Sequence, residues 1–241
     1  MPLREPAPRW LPRAPVAEAV TIWAVCFGAI VVAWVVATPW AKVVATLGFL
    51  YLPLLAMRQR GEDFREMGVS TRNLGAQLKL ALAAFAVVGP LYTLGFWVYV
   101  TEVVPRLPPE LAHLLSPFTR APNFGLRLPP RFLEWVIDQL FVVALPEEFF
   151  YRGYLQTRLR DAWPQGRVFL GGRLGKAFWV TQVLFALGHL AQGLPFRTAV
   201  FFPALIFGWM RERTGGVVGA AVFHALCNLL VIVLQECFFP S

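Results

Sequence analysis

Pro146-Glu147-Glu148-Phe149-Phe150-Tyr151-Arg152 sets two adjacent carboxylates and an arginine inside an apolar segment. The run before it, Phe132 to Leu145, is mostly hydrocarbon, and aromatics follow directly. An ionised group at bilayer depth costs at least ~2.5 kcal/mol on insertion scales, so it normally faces a bundle interior or water and serves function. On a helix, Glu148 and Arg152 stand at i,i+4 and share a face, where they can pair. Glu147 points about 100° away. Glu148 is therefore expected to be held ionised by Arg152, and Glu147 to be left for a proton or a water. A helix end whose charges merely anchor it at the interface would carry the same pair, so the rest of the chain decides.

The composition favours the membrane. Of 241 residues, 57% are hydrophobic and 15% charged, against about 25% charged in soluble domains. The expected fold is all-α, a polytopic membrane helix bundle of about seven transmembrane helices. Most basic residues behind the net charge of +8 flank apolar spans; that pattern belongs to topology and argues against a nucleic-acid partner. Cys26, Cys227 and Cys237 are scattered through apolar segments, with neither a disulfide framework nor a CxxC motif, and are expected as packed thiols.

Outward from the central stretch, spans are expected over about 16–38, 40–57, 80–100, 132–160, 177–192, 198–210 and 215–234. The 58–73 loop and the basic loop after Arg160 should both be cytoplasmic. The proline-rich 101–131 connection excludes long helix. This gives a cytoplasmic tail over 1–15, N-terminal transmembrane helices over 16–130 and a core carrying the chemistry over 131–237. The N-terminus lies in the cytoplasm of, by expectation, a bacterial inner membrane.

Two later spans carry further polar residues. Phe185 precedes His189 by one turn, and His224 and Asn228 stand at i,i+4 on one face. Glu147 lies 11 positions from Arg158, His189 13 from Lys176 and His224 11 from Arg213. At 1.5 Å per residue these are ~16–20 Å from the same side. A shared polar pocket satisfies all three, where each would otherwise need its own partner in hydrocarbon.

The set EExxxR (Glu147-Glu148 to Arg152), FxxxH (Phe185 to His189) and HxxxN (His224 to Asn228) resembles the CPBP family of CAAX proteases and bacteriocin-processing proteins. The resemblance covers roughly residues 130–235 and implies an intramembrane endopeptidase of the glutamic type, with a membrane protein or peptide as substrate and the lipid bilayer as its surroundings. The residues support that chemistry. Peptide hydrolysis needs a base for water, an acid for the leaving amine and donors for the oxyanion. Glu147 and His189 are expected to activate the water, His224 and Asn228 to hold the oxyanion, and Glu148 with Arg152 to fix the helix, Phe185 supporting. No cofactor is required. The alternatives are a zinc-dependent version using Glu147, His189 and His224 as ligands, a Cys227 nucleophile beside His224, and a non-catalytic scaffold or immunity protein.

Overall fold

The computed structural model of the chain describes residues 11, 12, 14–118 and 121–240. Most of the tail expected over 1–15 lies outside the described residues. Helix α1, Pro15–Val36, opens with proline at its first helical position, where the absent N–H would have had no partner anyway. A short 3-10 turn, Thr38–Trp40, leads into α2, Ala41–Arg60, which ends on Gly61 in the left-handed region (φ 71°). Helix α3, Leu74–Val98, continues through a π turn and a 3-10 turn to Arg106, past the expected end at Val100. Beyond Arg106 the described part of the proline-rich connection carries the short α4, Pro109–Leu115.

The central rod is continuous over 132–162 but widens twice into π pitch. It runs as α5, Phe132–Ile137; a π segment, Asp138–Ala144; α6, Leu145–Glu148; a second π segment, Phe149–Leu155; and α7, Gln156–Ala162. The two glutamates thus sit on a four-residue island of α-helix between two wider turns.

After it comes a small two-stranded sheet within a fold that is otherwise the expected all-α bundle. The basic loop folds into an antiparallel hairpin, β1 Gly166–Phe169 against β2 Gly172–Gly175. Its turn, Leu170-Gly171, has positive φ at both residues, 45° and 79°, the geometry that suits the twist of a tight hairpin. Helix α8, Lys176–Gly188, follows with a 3-10 turn at His189–Gln192. Another 3-10 turn, Pro195–Val200, leads into α9, Phe201–Thr214, and α10 is Val218–Phe238.

Long-range contacts fix the direction of these rods. Glu18 at the start of α1 meets Arg60 at the end of α2 and Arg158 on α7. Gln77 at the start of α3 accepts the backbone N–H of Gly219 at the start of α10. At the opposite end, Trp34 on α1 donates to the carbonyl of Gln192 after α8. Successive rods therefore alternate, and the basic loops gather at one end.

Among the described residues four helical stretches are long and apolar enough to cross a membrane: Pro15–Val36, Thr38–Arg60, Leu74–Arg106 and Val218–Phe238. The other three expected spans are the charged central rod and the shorter α8 and α9. Large apolar side chains are exposed around the outside, among them Val36, Leu91, Leu133 and Phe202. In water such a surface would be a liability; against lipid it is the required one. Inside, one core gathers Ile22, Phe49, Phe150, Tyr154, Phe207 and Phe223, so the first two helices and the last two pack on the central rod.

Candidate active site

Arg152 is the hub of the polar interior. Both it and Glu148 have no exposed surface, and Nη1 donates to Glu148 Oε1 at 2.9 Å. Its Nη2 donates to Gln182 Oε1 on α8 at 2.8 Å and to the Ala204 carbonyl on α9 at 3.3 Å. The guanidinium also lies over the Phe185 ring at 4.2 Å and within 5.1 Å of the Phe207 centroid. A buried ion pair is tolerable only where hydrogen bonds and ring faces replace the lost water, and three rods supply them here. The i,i+4 pair expected from the sequence forms even though Arg152 lies in the second π segment.

His224 on α10 completes the group. Its Nδ1 is 3.0 Å from Glu148 Oε1; a carboxylate offers no proton here, so Nδ1 is the donor. Phe207 stacks on the imidazole at 4.6 Å between centroids with only 15° between planes. Together these fix the ring so that Nε2 faces Glu147 Oε2 across 4.0 Å. That gap is too long for a hydrogen bond and short enough for one oxygen to bridge. Glu147 Oε2 is itself buried with no hydrogen-bond partner, although its side chain retains 16% exposure. It is a carboxylate held at the edge of the interior.

His189 sits at the end of α8, where the helix tightens into its 3-10 turn. Nδ1 is 2.9 Å from the Phe185 carbonyl, which can only accept, so Nδ1 carries hydrogen and a neutral ring keeps its lone pair at Nε2. The Phe185 ring, which carries the Arg152 guanidinium on its face, lies 4.6 Å from His189 and 6.0 Å from His224. Asn228, one turn along α10 from His224, donates Nδ2–H to Gln139 Oε1 at 2.9 Å. Gln139, in the first π segment, donates in turn to Asp138 Oδ2 at 2.9 Å.

The structure thus joins Glu148, Arg152 and His224 directly, sets Glu147 opposite His224, ties His189 to Phe185 and ties Asn228 to Gln139. Gln182, Phe207 and Gln139 were not singled out in the sequence. A glutamine seven residues before His189 in an apolar helix was a usable signal, because that spacing shares a face; Phe207 carried none. Arg158, used to gauge depth, is not a solvated end marker. It is buried, pairs with Glu18, Asp161 and Glu62, and shares Glu18 with Arg60 and with the Tyr154 hydroxyl, which donates at 2.7 Å.

Among the described residues no three His, Cys, Asp or Glu side chains converge as a metal-ligand set, so Glu147, His189 and His224 do not form one in this arrangement. The three cysteines are free thiols; Cys26 and Cys237 are buried, and Cys227 is half-buried against the core. Residues 129–230 match the family model described as "Type II CAAX prenyl endopeptidase Rce1-like". No curated protein and no solved structure matches the chain.

Proposed function

We propose that this chain hydrolyses peptide bonds with a water activated by Glu147, a reading supported by the match of residues 129–230 to the Rce1-like model of CAAX prenyl endopeptidases. The observation that carries the reading is the unpartnered Glu147 Oε2, buried and 4.0 Å from His224 Nε2. A water bound between Glu147 and the Nε2 lone pair of His189 gives one proton to Glu147 as its oxygen attacks the scissile carbonyl. The carbonyl oxygen becomes an oxyanion. His224 stabilises it through Nε2–H as an imidazolium, its Nδ1–H resting on Glu148, and Asn228 adds a second donor on the same face. Glu147 then returns its proton to the leaving amine as the C–N bond breaks.

Charge balance supports this assignment. Glu147 and Glu148 as anions, with Arg152 and an imidazolium at His224, sum to zero, which suits a site of low dielectric.

The substrate class proposed is a membrane-associated protein or peptide, prenylated or not, cut close to or within the bilayer. With the N-terminus in the cytoplasm of a bacterial inner membrane, the end that gathers Arg60, Arg158, Arg173 and Arg213 faces the cytoplasm, as the positive-inside rule requires. The test is cleavage of a co-reconstituted membrane-anchored peptide. Glu147→Gln should lose at least about a hundredfold in rate while keeping its fold by circular dichroism; full activity in that variant would overturn the reading.

A further inference from the structure

The hairpin between α7 and α8 has no place in the chemistry described so far. Its tip presents Val168, Phe169 and Leu170 at 66%, 59% and 64% exposure, three consecutive apolar side chains on a two-stranded ribbon. Basic residues frame them. Arg167 shares a strand face with Phe169, and Val168 stands opposite Arg173 in the register. The tip is held against α9: Trp209 Nε1 donates to the Phe169 carbonyl at 3.2 Å, and Arg213 Nη1 donates to the Leu170 carbonyl. These bonds fix the backbone and leave the apolar side chains exposed. Arg213 also lines a cavity of about 450 Å³ between the start of α3 and the end of α9. Lys79, in the second turn of α3, gives that cavity a second cation; Asn73 and Thr214 add neutral hydrogen-bonding groups, and Ala76 and Leu80 are apolar. Among the described residues no carboxylate forms a salt bridge with Lys79, Arg167, Arg173 or Arg213. Trp209 beside the tip and Trp163, whose ring centroid lies 4.1 Å from the Lys176 ammonium, are the aromatics expected where a bundle meets the headgroup layer. Exposed hydrocarbon beside unneutralised cations suits neither water nor the bilayer core. It suits an interface that offers acyl chains and negative charge together.

We propose that this face binds an anionic phospholipid, with the phosphate headgroup in the cavity between Lys79 and Arg213 and the hairpin tip in the acyl region beside it. Arg213 belongs to both parts, because its guanidinium lines the cavity and holds the Leu170 carbonyl. Headgroup and hairpin are thereby coupled through one side chain. Asn73 and Thr214 supply hydrogen bonds to phosphate or glycerol oxygens, and Ala76 and Leu80 meet the first carbons of a chain. A zwitterionic headgroup carries its own cation, which the two basic side chains repel, so the site selects lipids of net negative charge.

The experiment titrates the full chain, in a neutral detergent, with short-chain phosphatidylglycerol, with phosphatidylcholine of the same chains and with inorganic phosphate, each followed by the rise in Tm that binding produces. It reads binding and does not depend on the endopeptidase reading. Wild type should bind phosphatidylglycerol about tenfold or more tighter than phosphatidylcholine. Lys79→Gln and Arg213→Gln should each weaken phosphatidylglycerol about fivefold, and Phe169→Ser combined with Leu170→Ser should weaken it as well. Lys79 is exposed and makes no ion pair among the described residues, so its variant probes the site without endangering the fold. Arg131→Gln, at the opposite end of the bundle, should leave the affinity unchanged. Equal affinity for the two lipids in wild type would overturn the proposal, and this arm needs no variant. An equal Tm response to inorganic phosphate would replace the lipid by a free anion, and an equal loss in Arg131→Gln would replace the site by overall charge. A dimer in detergent that Phe169→Ser dissociates would overturn it in favour of a second copy of the chain.

Discussion

His224 and Glu148 are joined by a 3.0 Å hydrogen bond onto the same carboxylate oxygen that receives Arg152 at 2.9 Å. One oxygen thus holds the guanidinium of the central rod and the imidazole of α10, and with them the orientation of His224 Nε2 towards Glu147. Replacing that oxygen's charge should disturb both partners. Glu148→Gln leaves Arg152 buried without its counter-ion, a change that costs about 3–5 kcal/mol. The expected outcome is a marked fall in detergent-solution Tm together with loss of cleavage. An unchanged Tm would mean that Arg152 does not depend on this pair.

Gly208 on α9 makes room for the residue that steadies Arg152 from the other side. A Cβ at 208 would stand 2.4 Å from Gln182 Nε2 and 2.9 Å from a Phe178 ring carbon, so Gln182 must shift. Gly208→Ala should destabilise by about 1–3 kcal/mol and lower kcat, although position 208 is buried against Gln182 and Phe178. Normal kcat would show that Gln182 is dispensable to the geometry of Arg152.

The second buried charge cluster should behave differently. Glu18 is 2% exposed and answers Arg60, Arg158 and the Tyr154 hydroxyl at the basic end of the bundle. Glu18→Gln should therefore cost about 3–5 kcal/mol in stability, read as a lower unfolding midpoint. Below that midpoint, kcat per folded molecule should remain at the wild-type value, in contrast to Glu148→Gln. A large fall in kcat would make the two clusters one functional unit.

On the proposed mechanism, in which the proton passes from Glu147 to the leaving amine, cleavage should persist in a strong chelator. Loss of activity on chelation, restored by zinc alone, would overturn that path. It would require Glu147, His189 and His224 to move together into a ligand set that the present arrangement lacks.

The helical bundle and its polar centre were legible because both follow from one rule: charges in hydrocarbon must find each other. Glu148 with Arg152 could be read from spacing alone, and His224 with Glu147 from counting along two helices. Their neighbours could not. Gln182 reaches Arg152 only because α8 and α9 pack at Gly208, and Phe207 stacks on His224 through tertiary packing that no local pattern encodes. Asn228 was read with His224 from their shared face; its hydrogen bond to Gln139 depends on the first π segment, and i→i+5 turns leave no propensity signature. The hairpin at 166–175 did leave one, in glycines at 166, 171, 172 and 175, but its arginines read more strongly as a topology signal.

The two π segments that bracket Glu147 and Glu148 also set a rule for comparing this chain with its relatives. A wide turn accommodates one residue more than the helix around it, so a residue removed from Asp138–Ala144 would be taken up by closing that turn to ordinary pitch, with the faces on either side left where they were. The same deletion within Leu145–Glu148, where the pitch is already that of an α-helix, would rotate one flank by about 100° and turn a glutamate away from His224. A one-residue gap within 138–144 or 149–155 is therefore a difference the bundle can absorb, whereas one within 145–148 is a change of face.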